Sequence, residues 1–355
     1  MPDEGLIDAL IEGMPEPTII LSRDGLVIAF NRPAAAIAPA LRRGEPVLIT
    51  LRMPEVVEAI RRASTAGQPQ HVEFFQRVPV ERWFEAFVNP VAMASASGRP
   101  ASGMLVMSFH DLTPLRRVEE MRADFVANAS HELRTPLAAL SGFIETLQGP
   151  AKDDPAARER FLSIMRSQAT RMARLIDDLL SLSRIELNAH LLPDTPVDVA
   201  PIVGQVVDGL QPLAREREVE IRISAPPEKL TVLGDRDELV RALENLVENA
   251  LKYGSSGKRV DIKLTRGAVR EGSDEVRIAV RDYGPGIAPE HLPRLTERFY
   301  RVDVTDSRAQ GGTGLGLALV KHVLNRHGGR LTIESTPGAG ATFNVHLPLQ
   351  AAKAG

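Results

Sequence analysis

The chain of 355 residues contains no cysteine. That excludes disulfides, a thiolate nucleophile, Cys-ligated zinc and Cys-ligated iron–sulfur clusters. It also lacks an excess of either charge: Lys plus Arg is 43, Asp plus Glu is 46, and the net charge is −3. A near-neutral, slightly acidic chain is a poor candidate for a dedicated nucleic-acid binder. No apolar run reaches the roughly 18 residues needed to span a bilayer. The chain opens Met1-Pro2-Asp3-Glu4, without a basic segment followed by an apolar one, so no signal peptide is predicted and the chain is expected to be soluble and cytoplasmic. What is present is ordinary for a globular protein, with 43% hydrophobic and 25% charged residues, which rules out wholesale disorder. At roughly 150 residues per domain, the length predicts two or three domains.

The first third reads as short strands and turns. Thr18 to Leu21 and Leu26 to Phe30 are apolar runs around Asp24-Gly25, a hairpin signal. Further strand-like runs are His71 to Gln76, Arg82 to Val88 and Met104 to His110, the last two separated by the small-residue stretch Ala94 to Gly103. A mixed α/β domain over residues 1–112 is expected. At Asp111-Leu112-Thr113-Pro114 the apolar period turns helical, with Leu115, Val118, Met121 and Phe125 on one stripe. Thr113 is the predicted N-cap and Pro114 the first helical residue. This helix is expected to reach about Leu147. After a loop at Gln148 to Asp153, Asp154-Pro155 starts a second helix whose seam is Phe161, Met165, Gln168, Met172, Leu175, Leu179 and Leu182. Two such helices cannot bury both stripes by themselves. Residues 113–192 are therefore expected to form an antiparallel hairpin that dimerises into a four-helix bundle, an intramolecular bundle being the alternative. Residues 193–355 mix strands (Glu220 to Ser224, Arg259 to Thr265, Glu275 to Arg281) with helices (Glu238 to Leu251, Leu315 to His327) and end in a hairpin, Leu331 to Ser335 with Thr342 to Leu347. That pattern predicts an α+β layer of helices on a mixed sheet.

Four constellations carry chemistry. Ser130-His131-Glu132-Leu133-Arg134-Thr135-Pro136 lies inside the first long helix. Pro136 lacks an N–H and crowds the carbonyl four residues back, so a bend is expected just after His131. Thr135 shares a face with His131. Glu132 could hold one imidazole nitrogen and leave the other nucleophilic. Alone, the pair reads more simply as a solvated surface pair, and with Thr at 135 it is not a zinc H-E-x-x-H. Second, Asn245, Asn249 and Lys252 share a helix face, followed by Tyr253. An Asn oxygen is a suitable ligand for Mg²⁺, which also takes phosphate oxygens; a polar face turned to water is equally compatible. Third, Asp282-Tyr283-Gly284-Pro285-Gly286 ends an apolar strand. Its glycines admit a flat ligand and its carboxylate could accept from an exocyclic amine, although a plain Gly-Pro turn explains it as well. Fourth, Gly311-Gly312-Thr313-Gly314-Leu315-Gly316 enters a helix, an anion cradle in principle but neither a P-loop nor a dinucleotide fingerprint. The other histidines, His71, His110, His190, His291, His322 and His346, show no common metal-ligand spacing, and His327 at a helix end is expected to be structural.

In this fixed order the four segments resemble the sensor histidine kinases of two-component systems. The His131 segment is similar to that family's H box and Asn245 to Tyr253 to its N box. Asp282 to Gly286 and Gly312 to Gly316 resemble its two glycine boxes, and Glu297-Arg298-Phe299-Tyr300-Arg301 its F box. The likeness covers about residues 113 to 350 and is nearest to the phosphate-regulon sensor kinases of the PhoR type. The first third is similar to a PAS sensor domain, without an evident haem or flavin signature. The resemblance implies a multidomain fold: a PAS domain at 1–112, a dimerisation and phosphotransfer hairpin at 113–192, and an α+β sandwich of the GHKL (Bergerat) type at 193–355. It implies ATP and Mg²⁺ as cofactors, with Asn249 on the metal and Asp282 on adenine. Asn245, Lys252, Tyr253, Gly284, Gly286, Arg298, Arg301, Gly312, Thr313, Gly314, Leu315 and Gly316 would complete the nucleotide site. His131 would be phosphorylated, with Glu132 handling its proton, and Thr135 would position a water for the phosphatase reaction. The implied partners are a second copy through the hairpin and a response regulator receiver domain; nucleic acid is not expected. Members of this family usually carry transmembrane helices before the PAS domain. Their absence here leaves a soluble member or a piece of a membrane-anchored parent. A GHKL-fold ATPase and a non-catalytic sensor scaffold are the competing classes.

Overall fold

The computed structural model describes residues 4–77, 81–91, 103–188, 190–268, 274–302 and 312–350, so Gly311 and most of the stretch Ala94 to Gly103 lie outside the described residues. The chain divides into two compact units, Met1–Val126 and Ala127–Gly355.

The first unit runs α1 (Glu4–Glu12), β1 (Thr18–Ser22), β2 (Val27–Phe30), α2 (Arg32–Ile37), α3 (Pro54–Ala66), β3 (Gln70–Gln76), β4 (Arg82–Val91) and β5 (Met104–Asp111). The strands form one antiparallel sheet in the order β2-β1-β5-β4-β3. Phe74, Phe84 and Phe109 are buried together, Phe74 stacked on Phe84 and set edge-on to Phe109. Asn31 ties the helices to the sheet. Its Oδ1 accepts from Thr18 N at 2.9 Å and from Ala34 N at 3.0 Å, capping α2, and its Nδ2 donates to the carbonyls of Ile11, Met14 and Glu16. Every polar atom of a fully buried amide is thus paired, as burial requires. A mixed α/β domain was expected here, without positions for its three helices.

The long helix α4 (Thr113–Gln148) starts within this unit. Thr113 does not cap it as the sequence predicts. Its hydroxyl accepts from Trp83 N at 2.9 Å, and the orphan N–H of Thr113 is taken instead by Asp111 Oδ1 at 2.9 Å. Arg116, in the first turn, pairs with Glu73 at 2.7 Å and lies over the Trp83 ring.

In the second unit α4 continues to Gln148 through Pro136, and α5 (Pro155–Leu187) follows. Asp154 caps α5 by accepting from Ala157 N at 2.9 Å, with Pro155 at its start, as the sequence predicts. Phe143 and Phe161 stack across the hairpin, ring centroids 5.3 Å apart. Then come β6 (Pro196–Asp198), α6 (Val199–Glu216), β7 (Glu220–Ser224), β8 (Thr231–Leu233), α7 (Arg236–Tyr253), β9 (Arg259–Ala268), β10 (Asp274–Asp282), α8 (Gly316–Arg326), β11 (Arg330–Ser335) and β12 (Ala341–Pro348). The main sheet has the order β11-β12-β10-β9-β7, antiparallel except for β7 beside β9, and β6 pairs with β8. Helices α6, α7 and α8 lay Val203, Leu246 and Leu319 on Ile262, Ile278 and Val345 of the sheet in one aliphatic core. Each such fully buried Leu or Val contributes about 1.5–3 kcal/mol. Ile185 near the end of α5 belongs to the same core, so the hairpin is anchored in it. Among the described residues no helix is long and apolar enough to cross a membrane.

Candidate nucleotide and phosphotransfer site

Helix α7 sets the first wall. Asp235 starts it by accepting from Asp237 N at 3.0 Å and Glu238 N at 3.2 Å. His327 holds that turn: its Nε2 accepts from Asp235 N at 2.9 Å while Nδ1 faces the carbonyl of Val323 at 2.8 Å, so the ring is the neutral Nδ1–H tautomer. Burial pushes its pKa down, consistent with the structural role expected of it. Leu239, Leu243, Leu246 and Ala250 face the core. At a period of 3.6 this turns Arg241, Asn245, Glu248, Asn249 and Lys252 to the opposite side, where all line a cavity of about 860 Å³.

Asp282, the last residue of β10, closes one end of that cavity. It is 6% exposed. Its Oδ1 accepts from Gly284 N at 2.9 Å and Ala341 N at 3.3 Å. Burial pushes its carboxyl above the ordinary range, opposed by those amide hydrogen bonds. The backbone here is packed so closely that a Cβ at Gly284 would sit 2.6 Å from Gly254 Cα, and one at Gly286 would overlap the carbonyl oxygen of Thr336. Gly286 also has a φ of 72°.

The glycine segment before α8 forms the opposite wall. Gly314 has a φ of 75°, and its carbonyl accepts from Phe299 N at 2.8 Å. A Cβ on Gly316 would overlap Asn245 Oδ1, so glycine here leaves room for that amide in its present place. Asn245 Nδ2 donates to the carbonyl of Arg241 at 2.9 Å, which fixes the direction of its amide. Lys252 is buried and pairs with Glu248 at 2.9 Å.

The hairpin supplies a third wall that the sequence reading missed: Arg174, Asp178, Ser181 and Arg184 of α5 also line the cavity. The Asp178 carboxylate accepts from Thr313 Oγ1 at 2.9 Å and from Arg241 at 3.2 Å, and Arg241 also donates to Ser181 Oγ. The signal was a polar stripe at spacings of three and four, Arg171, Arg174, Asp178 and Ser181, beside the apolar seam.

His131 is exposed on α4, and neither it nor Thr135 lines the cavity. The Thr135 hydroxyl donates to the carbonyl of His131 at 3.2 Å, the back-bond of a helical threonine. Glu132 Oε2 accepts from Arg171 at 2.9 Å and from Arg301 at 3.0 Å. Arg301 lines the cavity and donates also to the carbonyl of Gly312 at 2.8 Å. One ion pair thus joins the residue after His131 to the cavity wall. Tyr253 and Gly312 line the cavity. Arg298 lies outside its lining, paired with Glu186 of α5, and the Leu315 side chain is fully buried. Among the described residues no three His, Asp or Glu side chains gather to hold a metal. Oxygen donors that suit Mg²⁺ together with phosphate line the cavity on α7, in the amides of Asn245 and Asn249 and the carboxylates of Glu244 and Glu248, which fits a metal that the nucleotide brings with it.

Comparison with known families matches residues 121–188 to the His Kinase A (phospho-acceptor) domain and residues 234–351 to the histidine kinase-, DNA gyrase B- and HSP90-like ATPase. The chain is 43% identical over 250 residues to the phosphate regulon sensor protein PhoR of Pseudomonas aeruginosa, covering 70% of this chain and 55% of that protein. It is 43% identical over 245 residues to the sensor-like histidine kinase SenX3 of Mycobacterium tuberculosis, 68% of this chain and 58% of the relative. With the sensor histidine kinase WalK of Bacillus subtilis it shares 34% identity over 350 residues, 96% of this chain and 54% of the relative. The chain therefore spans little more than half the length of these relatives. Its fold resembles that of histidine kinase ThkA, solved in complex with response regulator protein TrrA: TM-score 0.50, 21% identity, 97% of this chain and 98% of that one.

Proposed function

The chain belongs to the sensor histidine kinases, carrying both their phospho-acceptor and their ATPase domain, and from that premise we propose that it phosphorylates His131 from ATP and passes the group to a response regulator. The nucleotide lies in the cavity of the second unit with its adenine amine on Asp282. Asn249, beside Asn245, supplies an oxygen to Mg²⁺; when bound, the ion neutralises phosphate charge. Lys252, Tyr253 and Arg301 steady the phosphate chain. A ring nitrogen of His131 attacks the γ-phosphorus, the bond to the ADP oxygen breaks, and the imidazole proton passes to Glu132. Positioning and charge stabilisation carry most of the catalysis in such transfers. The phosphoryl group then moves from His131 to a carboxylate oxygen of an Asp in the receiver domain. Thr135 orients the water that later hydrolyses that acyl phosphate.

Residues 1–112 act as a PAS-like sensor domain, 113–192 as the hairpin that pairs with a second copy into a four-helix bundle, and 193–355 as the catalytic domain. The exposed stripe Leu115, Val118 and Met121, each more than half exposed, supports pairing through α4. Kinship with PhoR supports a role in phosphate-responsive signalling.

The observation that carries the reading is the ion pair from Glu132 to Arg301, which couples the segment bearing His131 to the wall of the polar cavity within one compact unit. Incubation with γ-labelled ATP and Mg²⁺ tests it. The expected label is acid-labile and base-stable, and it moves to a receiver domain from a regulator panel. ATP turnover without such a label points to a plain ATPase of this fold, and no turnover to a scaffold.

A further inference from the structure

Asp178 belongs to the hairpin, outside every segment assigned above to the nucleotide. Its side chain is 17% exposed and faces the cavity. Oδ2 accepts the Thr313 hydroxyl at 2.9 Å, and Oδ1 accepts from Arg241 at 3.2 Å. Thr313 adjoins the start of α8, and Arg241 lies one turn before Asn245 on α7. A hydroxyl and a guanidinium beside a helix N-terminus are the donor set that phosphate oxygens use. Here a carboxylate of the hairpin already sits on them. It is held there from both sides, because Arg174 reaches Glu248 at 3.8 Å one turn earlier on α5 and Ile185 is packed in the catalytic core two turns later.

We infer that Asp178 is a latch that a nucleotide's phosphate chain must displace: its carboxylate ties Thr313 and Arg241 to the hairpin, and the phosphates compete for the same two donors. The inference rests on the nucleotide reading of the cavity. Two anions on one pair of donors in a partly desolvated cavity repel, so the latch weakens nucleotide binding. By linkage, nucleotide weakens the attachment of the glycine segment to the hairpin by the same factor. The glycine segment is released when nucleotide binds, before any group is transferred.

The test is calorimetric titration of the full chain with Mg²⁺ and a non-hydrolysable ATP analogue, and separately with adenosine. Asp178→Asn keeps the size and removes the charge. It should bind the analogue about ten-fold tighter than the parent chain, the size expected for removing one close like charge. Adenosine affinity should not change. Asp178→Ala should tighten analogue binding at least as much, which guards against a new bond made by the amide. Equal or weaker analogue binding in Asp178→Asn overturns the latch while leaving the nucleotide site standing on the parent chain's own affinity. An equal gain for adenosine overturns it too, since it indicates general loosening and not phosphate competition. A parent chain that binds no nucleotide removes the reading and the latch together.

Discussion

The turn glycines of the first unit and the glycines around the cavity of the second serve different purposes. In the first unit Gly25, Gly44 and Gly67 turn the chain with φ of 76°, 79° and 62°, and a Cβ at any of them would meet nothing within 4 Å. In the second, a Cβ at Gly254 or Gly340 would overlap Asp282 itself, and one at Gly316 would overlap Asn245. The first set reports local backbone geometry. The second reports that chain segments approach within backbone contact around two polar side chains, and that is what a small-molecule cradle demands. The cores differ in the same sense. The first unit fills its centre with Phe74, Phe84 and Phe109, whereas the second keeps an aliphatic core on one side of α7 and a polar cavity on the other.

The largest effect should come from the polar face of α7. Asn249→Asp puts a negative charge where Mg²⁺ and phosphate oxygens are proposed to meet. Label uptake from ATP should fall by roughly 100-fold or more, as for other electrostatic catalytic groups. Full activity would remove Asn249 from the site.

The glycine comparison can be broken directly. Gly316→Ala forces Asn245 aside, an overpacking cost of about 1–3 kcal/mol, so nucleotide affinity should drop roughly ten-fold or more. Gly44→Ala strains only a left-handed turn, at about 1–2 kcal/mol of stability, and should leave nucleotide affinity unchanged. If both substitutions weaken nucleotide binding alike, the distinction between the two kinds of glycine is wrong.

Thr135→Ala should separate two activities. Its hydroxyl bonds the carbonyl of His131 at the helix surface, and such a bond can be shared with a water. Label uptake should stay within a few-fold, while decay of the phosphorylated regulator slows by roughly ten-fold. Equal losses would make Thr135 a helix residue only.

The smallest effect is a pH dependence at Asp282. Its carboxyl is raised by burial above the usual 3.8. The ionised form that accepts an amine proton is therefore lost earlier on acidification than for a free aspartate, and nucleotide affinity should fall a few-fold as pH drops through that raised value. The sign for folding is opposite: the stability from binding this proton is present at low pH and lost as pH rises through the same window. Titrations at a series of pH values should show the fall, and Asp282→Asn should flatten it.

Much of the second unit was legible in the sequence because its signals are local. Asp154-Pro155 fixed the start of α5, Asp282 the end of β10, and the glycines the entry to α8. Helix α6 was missed. Pro201, Gly204, Gly209 and Pro212 have low helix propensity, yet Asp198 caps the helix and Ile202, Val203, Val206 and Val207 bury one face, so packing overrides propensity. Glu132 was expected to act on the imidazole of His131, but that its Oε2 accepts from Arg171 and Arg301, 39 and 169 residues away in the chain, no local window shows. Nor could the pairing of Asp178 with Thr313, 135 residues away, be read from any window. Such contacts depend on how the hairpin meets the layers of helices and sheet, which no local periodicity encodes. The same holds for Thr113, whose hydroxyl went to Trp83 of a distant strand rather than to its own helix.

On the proposed function the cavity holds ATP and His131, outside it, receives the phosphoryl group. Comparing the parent chain with His131→Gln in one preparation, with γ-phosphate label and nucleotide affinity measured together, tests both halves of that proposal. The account predicts that label disappears from the variant while nucleotide affinity stays within about two-fold, because the imidazole does not line the cavity. Label persisting on another histidine of the variant would contradict it.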